Sequence, residues 1–370
     1  MKTSKRPIFL LLLPNLQAGG IQRVALNLGK GLQSKGATIH IIAAQIKGDL
    51  VKDIPEGIKL IDEPTRNIYQ KIFQLIRYIR KNKPTAILTT NPKLSLIAVF
   101  SKKVSFTNTR VVISEHNDPI LAAAFRKKQG SFTPHPRLKK FVYQQADAII
   151  GISEGVANGL ASSAGIARER IQVIHNPIVD ERIKQLSKEK AKWPKTKYPR
   201  GAKMLAVGRL SDQKDFATLL QSFAILLQRL PAQLLILGEG SQRSQLEQAM
   251  RKLNIEDSVS LMGYTKNPYA YMSSADVFIS SSLWEGLPTV HVEALACGCQ
   301  VVSTDCPSGP SEILADGKYG KLVPVKQPEA LADAVVQILS DPIPQKLLRE
   351  RAEFFSIDRS TNKYWKTLKA

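Results

Sequence analysis

Two glutamates eight positions apart, Glu285 and Glu293 in "LWEGLPTVHVEALACG", stand out in a chain whose formal net charge is +22. Paired carboxylates can share acid and base work, as in a hydrolase, or they can bind hydroxyl groups. Local structure separates the two uses. Gly286, Leu287 and Pro288 interrupt regular structure, and Pro288 or Thr289 suits a first helical position, so the pattern predicts Glu285 in a loop and Glu293 in the second turn of a helix. Helical side chains lean toward the N-terminus, which turns Glu293 back toward the pocket faced by Glu285 and by the free N–H groups near Gly286 and Leu287. An acidic loop, an anion-accepting helix start and a second carboxylate suit a ligand carrying phosphates and hydroxyls. The plainer alternative is a dipole-stabilising Glu285 and a surface Glu293.

Two further constellations point to anions. In "AVGRLSDQKDFATLL", Arg209 follows a strand and Lys214 sits in the loop before a helix that Asp215 caps. A guanidinium fork and an ammonium point charge can clamp a diphosphate, the alternative being two exposed surface charges. In "LPNLQAGGIQRV", Gly19 and Gly20 follow the first strand and open a helix, which fits either close backbone approach to a phosphate or a simple tight turn. Neither a G-x-G-x-x-G nor a G-x-x-x-x-G-K-[ST] pattern is present, so dinucleotide and P-loop readings lose support.

These residues need a scaffold, and the chain spells one out. Short β-branched runs alternate with helical patterns, the signature of a parallel α/β fold. Strands are expected at Ile8 to Leu13, Ala37 to Ala44, Thr85 to Thr90, Arg110 to Glu115, Asp147 to Ser153 and Ile171 to Asn176, with helices at Ile21 to Ser34, Ile68 to Lys81 and Leu138 to Ala146. The alternation restarts with strands at Lys203 to Leu210, Gln233 to Gly240, Ser258 to Tyr264, Asp276 to Ser282, Gln300 to Asp305 and Gly320 to Val325. Between the two series, "KEKAKWPKTKYPRGAK" is rich in lysine and proline and lacks a hydrophobic period, so it reads as a linker. The expectation is two Rossmann-like doubly wound domains facing across a cleft, residues 1–180 and 204–355, joined by a basic linker over 181–203. The cleft is the expected site.

Composition narrows the class. At 370 residues the chain fits two domains. Cys297, Cys299 and Cys306 are too few and too local to staple it, which points to a reducing compartment, and with only His291 nearby they do not make a zinc site. The first residues imitate a signal peptide, but Pro14 stops the apolar run early and a buried first strand explains it equally well. Residues 1–180 carry 27 Lys+Arg against 11 Asp+Glu, residues 181–203 carry 9 against 2, and residues 204–370 carry 17 against 18. Basic character is therefore confined to the first half and the segment after it, which suits an anionic surface as partner.

The arrangement resembles the retaining GT-B glycosyltransferases of family 4, most specifically through "SSLWEGLPTVHVEALACGCQVVSTDCPSGPSEIL" and also through "AGGIQRV", "SEHND", "IHNPI", "VGRLSDQKD" and "LGEG". The resemblance implies a nucleotide-sugar donor, with a UDP-sugar favoured. It implies that Arg209 and Lys214 hold the diphosphate, that Glu285 with the backbone at Gly286 and Leu287 holds the donor sugar, and that Glu293 holds the ribose. Gly19 and Gly20 would close the site from the first domain, and His116 in "VISEHND" would sit by the reacting sugar. Residues 356–370 would return to pack on the first domain. No D-x-D is present, so two side-chain cations are expected in place of a divalent metal, and no cofactor is expected. The implied reaction retains anomeric configuration by front-face attack.

The acceptor is expected on the basic first domain. In "NIYQKIFQLIRYIRKNKP", Ile68, Ile72, Leu75, Ile76 and Ile79 form one helical stripe, either core-facing or lying on an anionic membrane. "AFRKKQGSFTPHPRLKKF" adds a second basic stretch. The function expected is transfer of a hexosyl or N-acetylhexosaminyl group to a lipid-linked saccharide or cell-envelope glycolipid by a cytoplasmic enzyme that visits the inner membrane face. The rivals are a glycoside hydrolase, a nucleotide-sugar epimerase of the same fold, and a basic nucleic-acid-binding protein. The last lacks any recognised binding motif, and no nucleic-acid partner is expected.

Overall fold

The computed structural model describes residues 6–17, 19–43, 49–61, 67–121, 124 and 135–370. The chain divides into two compact units, Met1–Pro177 with Ile357–Ala370, and Ile178–Ser356. Of the basic stretch at Ala124 to Phe141, residues 125–134 lie outside the described residues.

The first unit is built on seven strands, β1 Ile8–Leu13, β2 Thr38–Ala43, β3 Lys59–Ile61, β4 Ala86–Thr89, β5 Arg110–Glu115, β6 Ala148–Gly151 and β7 Ile171–Val173. They form one sheet of order β3-β2-β1-β4-β5-β6-β7, and the paired strands run parallel. Around it lie α1 Gly20–Ser34, α2 Ile68–Asn82, α3 Pro92–Ser105, α4 Pro136–Gln144 and α5 Glu154–Ala164. The strands read as unbroken apolar runs because both faces of a parallel sheet are covered. Successive side chains of β1 serve opposite cores. Phe9, Leu11 and Leu13 pack with Ala25, Leu28 and Leu32 of α1, whereas Leu10 and Leu12 pack with Leu75 and Ile79 of α2 and Ile97 of α3.

The second unit repeats the plan. α6 Glu181–Leu186 is followed by β8 Ala202–Val207, α7 Phe216–Leu227, β9 Ala232–Leu237, α8 Arg243–Lys252, β10 Val259–Gly263, α9 Pro268–Ser274 and β11 Val277–Ser280. The rest comprises α10 Thr289–Cys297, β12 Gln300–Thr304, α11 Pro310–Leu314, β13 Lys321–Val323, α12 Pro328–Ser340 and α13 Gln345–Glu353. The sheet order is β10-β9-β8-β11-β12-β13, again parallel. Polar side chains set the helix starts: Asn67 accepts from the Gln70 N–H, Ser153 from Val156 and Asp215 from Thr218. The fold class is thus two Rossmann-like units with an identical core strand order.

α14, Ile357–Lys369, packs against α1, and its Tyr364 and Leu368 join the core that holds Phe9 and Leu11. The free linker expected over 181–203 is a correction. Asp180 caps α6, whose Ile183 is buried, and the lysine-rich stretch after it is fastened to the second unit. The Trp193 indole N–H donates to Ser274 Oγ at 2.9 Å, its ring meets Tyr271 edge-on, and the Lys197 N–H donates to the Asp257 carbonyl. Composition hid two aromatic and backbone anchors among lysines. The boundary accordingly falls at 177/178 rather than after 180.

Candidate functional site

In each unit the strand order reverses between the first and fourth strands, and open parallel sheets bind ligands beyond the C-terminal ends of the strands at such a reversal. In the second unit those strands are β8 and β11. β8 runs out through Gly208 into Arg209 and then a 3-10 turn, Asp212–Lys214; β11 runs out through Ser281 toward Glu285. Two residues 71 apart in sequence therefore meet. Lys214 Nζ lies 2.5 Å from Glu285 Oε1, with side-chain exposures of only 17% and 9%.

A buried ion pair holds its geometry only if its remaining polar atoms are supported. Gln213 supplies that support: its amide donates to the Trp284 carbonyl at 2.8 Å and to Glu285 Oε2 at 3.5 Å. The Ser281 hydroxyl donates to the Lys214 carbonyl at 2.8 Å, and the Leu283 N–H donates to the Gln213 carbonyl. The lysine stem lies over Gly208, where a Cβ would come within 3.1 Å of Lys214 Cε. Arg209 differs from Lys214. It is exposed, and its guanidinium has no hydrogen-bond or ion-pair partner among the described residues. The two cations expected to act alike are thus unequal, one committed to a carboxylate and one free.

Gly286 and Leu287 are buried in the loop that leads to Pro288, the N-cap of α10. Their backbone is pressed by the turn before α11. Gly309 has φ +100°, and a Cβ there would fall 2.6 Å from Pro288 Cδ and 3.0 Å from the Gly286 carbonyl oxygen. Glu293 is half-buried in the second turn of α10. Burial, with the Glu293 charge adding to it, pushes the Cys297 thiol up to about 12, so that cysteine is an inert core residue rather than a nucleophile. His291, in the first turn of α10, is fully buried against Phe278, and its Nε2 is 2.8 Å from Ser303 Oγ. Burial first, and the Lys214 charge second, hold it near 3 and therefore neutral.

In the first unit, Gly19 is the N-cap of α1 with extended backbone, φ −176°, and Gly20 is its first residue. The Gly19 conformation is one that any residue adopts, so the backbone itself does not call for glycine there. His116 follows β5 and is buried; Nε2 lies 3.1 Å from Ser114 Oγ, and Nδ1 has no hydrogen-bond partner among the described residues. Burial lowers it to about 4. Sequence reasoning missed Gln213, Gly309 and the Ser114 contact. All three stand within stretches that the sequence singled out, "VGRLSDQKD", "PSGPSEIL" and "SEHND", but nothing in those stretches marked their roles.

Of the two readings of the α2 stripe, the core-facing one holds for most of it: Leu75 and Ile79 face the core with Ile68 and Ile72 packed beside them, while Ile76 lies toward the surface. The outer face instead exposes Tyr69 at 80% and Phe73 at 67%, and the neighbouring α3 ends on Phe106 at 89%. Phe73, Ile76, Arg77, Arg80 and Lys81 line a surface hollow of about 420 Å³. Among the described residues no helix is long and apolar enough to cross a membrane.

Comparison with known proteins bears on both units. Residues 18–182 match the model of "Glycosyltransferase Family 4", and residues 187–354 match "Glycosyl transferases group 1". An N-acetylgalactosamine-N,N'-diacetylbacillosaminyl-diphospho-undecaprenol 4-alpha-N-acetylgalactosaminyltransferase of Campylobacter jejuni is 29% identical over 351 residues, covering 92% of each chain. An uncharacterized glycosyltransferase of Methanocaldococcus jannaschii is 28% identical, covering 87% of this chain and 89% of its own. Among solved structures, Anabaena HepE in complex with UDP-glucose superposes with TM-score 0.80 at 17% identity, covering 98% of this chain and 99% of that one.

Proposed function

This chain belongs to the GT-B glycosyltransferases of family 4, and from that premise we propose that it moves a hexosyl or N-acetylhexosaminyl group, with retention, from a UDP-sugar to a lipid-linked saccharide or cell-envelope glycolipid. One observation carries the donor half: a buried Lys214–Glu285 pair and a free Arg209 stand together at the strand reversal of the second unit. Breaking a glycosyl–phosphate bond produces a departing diphosphate and an oxocarbenium-like sugar, and both need stabilisation together. The Arg209 fork binds the diphosphate bidentately, while Lys214, with three N–H donors and one engaged by Glu285, turns the others to it. Glu285 fixes that ammonium and accepts hydrogen bonds from sugar hydroxyls; the Gly286 and Leu287 backbone borders the sugar. Glu293 takes the ribose hydroxyls, and Gly19 and Gly20 serve the acceptor side. In this reading the two cations stand where other enzymes use a divalent metal, and no cofactor is required.

The acceptor half rests on charge and on the C. jejuni relative, whose acceptor is undecaprenol-linked by name. The exposed Tyr69, Phe73 and Phe106 beside Arg77 and Lys81 fit the headgroup level of an anionic bilayer, where aromatic rings sit and lysine and arginine meet lipid phosphate. The enzyme then works peripherally on the cytoplasmic membrane face.

The donor reading is tested with a panel of UDP-, GDP- and ADP-sugars in thermal unfolding. A UDP-sugar is expected to raise the melting temperature, and no shift with any of them would remove the donor assignment. Flotation with phosphatidylglycerol and phosphatidylcholine liposomes tests the membrane reading. Binding is expected only to the anionic vesicles and is lost on Phe73→Ser with Phe106→Ser.

A further inference from the structure

The end of β5 holds a buried chain of hydroxyl groups that ends on His116 and begins on the last helix. Tyr364 Oη of α14 lies 3.2 Å from Ser114 Oγ, and Ser114 Oγ lies 3.1 Å from His116 Nε2. Tyr364 and Ser114 are 1% exposed and His116 is 6% exposed. Neighbouring acids are occupied elsewhere: Glu115 Oε2 accepts from the Tyr143 hydroxyl at 2.6 Å, and Asp118 Oδ1 accepts from the Ile120 and Leu121 N–H groups. His116 Nδ1 is left without a partner among the described residues.

Two proton arrangements fit these distances, and they leave different debts. If His116 donates through Nε2–H to Ser114, Ser114 either donates to Tyr364 and leaves the phenol proton without an acceptor among the described residues, or accepts from Tyr364 as well and leaves its own proton without one. Either way two buried groups are stranded, one hydroxyl proton and the bare Nδ1. If Tyr364 donates to Ser114 and Ser114 donates to Nε2, only the Nδ1–H is left unmet. A buried polar group left unpaired is costly, so the second arrangement, which strands one group rather than two, wins. A phenol is also the stronger donor of the pair. Burial raises Tyr364 to about 12, opposed by its contact with Ser114, so it keeps its proton to give.

We propose that Tyr364 and Ser114 are positioning residues that lock His116 in the Nδ1–H tautomer, making its buried Nδ1–H a neutral hydrogen-bond donor to an oxygen of the glycosyl substrate. The second clause rests on the reading above that places His116 at the sugar; the tautomer does not. A histidine held this way is neither a general base nor a charge. It lends a fixed dipole to an oxygen of the sugar and so holds that sugar in one orientation, the kind of donor that works by being oriented in advance. The last helix thereby reaches the chemistry through two hydroxyls without touching the substrate.

The test uses the full chain labelled with 15N-histidine and long-range 1H–15N correlation, His116 being assigned from the signals lost in His116→Asn. The expected spectrum shows a protonated Nδ1 and a bare Nε2. Tyr364→Phe should give a tautomer mixture, Ser114→Ala should lose the preference, and Ser114→Thr, which keeps the hydroxyl, should restore it. A protonated Nε2 in the wild type, or a spectrum indifferent to Tyr364→Phe, overturns the relay. In kinetics with the nucleotide sugar that most stabilises the protein, Tyr364→Phe is expected to lower kcat about ten-fold, with the donor KM held within about two-fold. Unchanged turnover in His116→Asn, alongside the Nδ1–H tautomer, would overturn the substrate contact while leaving the relay standing.

Discussion

At the scale of single residues, the buried Lys214–Glu285 pair makes the firmest claim. Removing one partner strands the other charge, so Lys214→Met is expected to cost about 3 kcal/mol of stability, and adding Glu285→Leu should return part of it. Chemical denaturation of the two single variants and the double variant reads this coupling directly. Arg209→Ala should leave stability unchanged and raise the donor KM roughly ten- to hundred-fold, the worth of a charge-assisted hydrogen bond of about 1.5–3 kcal/mol. Arg209→Lys should recover little of this, since an ammonium lacks the fork. Histidines set the acid limit. His116 and His291 are held near 4 and 3 when folded and rise toward 6.5 when the chain unfolds. The unfolded chain therefore binds protons first as pH falls, and stability present above about pH 6.5 is lost on the way down toward 4, with His116 alone worth on the order of 3 kcal/mol. Melting temperatures between pH 7.5 and pH 4.5 should fall accordingly, and His291→Gln should reduce the slope if it folds. The sequence displayed Glu285, Arg209 and Lys214 as chemical types in loops after strands. It could not display the ion pair, because the partners are 71 positions apart and only sheet order joins them. Nor could it display the contact of Ser114 with Tyr364, which comes from a helix 250 residues away.

Among elements, the loop from β11 into α10 owes its shape to its neighbour. Gly309, with φ +100° and no room for a Cβ beside Pro288, lets the α11 turn press on Gly286 and Leu287. Gly309→Ala should therefore lower the affinity for UDP several-fold and reduce the melting temperature, whereas Gly36→Ala, at a positive φ but in open space, should cost only stability. Isothermal titration with UDP separates the two. The far end of α11 is held as well: the Arg351 guanidinium donates to the Ile313 carbonyl at 2.8 Å and stacks on Tyr319 and Phe355. Elements were the most legible level. β1 lies where its unbroken apolar run begins and ends, because a strand covered on both faces has no polar side to blur its limits, and β5 keeps the expected span Arg110–Glu115. The exceptions have a common cause. β3 is three residues long and half-exposed, and the segment after α6 is held by single anchors, Trp193 and the Lys197 N–H, so neither carries a period to detect.

On the scale of the whole molecule, two units share a strand order but not a charge. The first unit, residues 1–177 with 357–370, carries 31 Lys+Arg against 11 Asp+Glu, while the second, residues 178–356, carries 22 against 20. This division suits an enzyme whose one half meets an anionic surface and whose other half meets a soluble nucleotide. The first unit is also discontinuous in sequence, since α14 comes after the whole of the second unit and supplies Tyr364 and Leu368 to the β1 core. Ending the chain at Ser356 should therefore open the first unit and leave the second intact, and hydrogen exchange by mass spectrometry should show protection lost in β1 and α1 but kept in β8 and β9. Order of synthesis follows from the same fact. Residues 178–356 can complete their sheet while the ribosome is still translating, but the earlier-made β1 and α1 must wait, one apolar flank uncovered, until α14 emerges. For this protein the first unit begun is the last to close, which makes the time of translation, rather than the finished fold, the period in which a chaperone would be needed most.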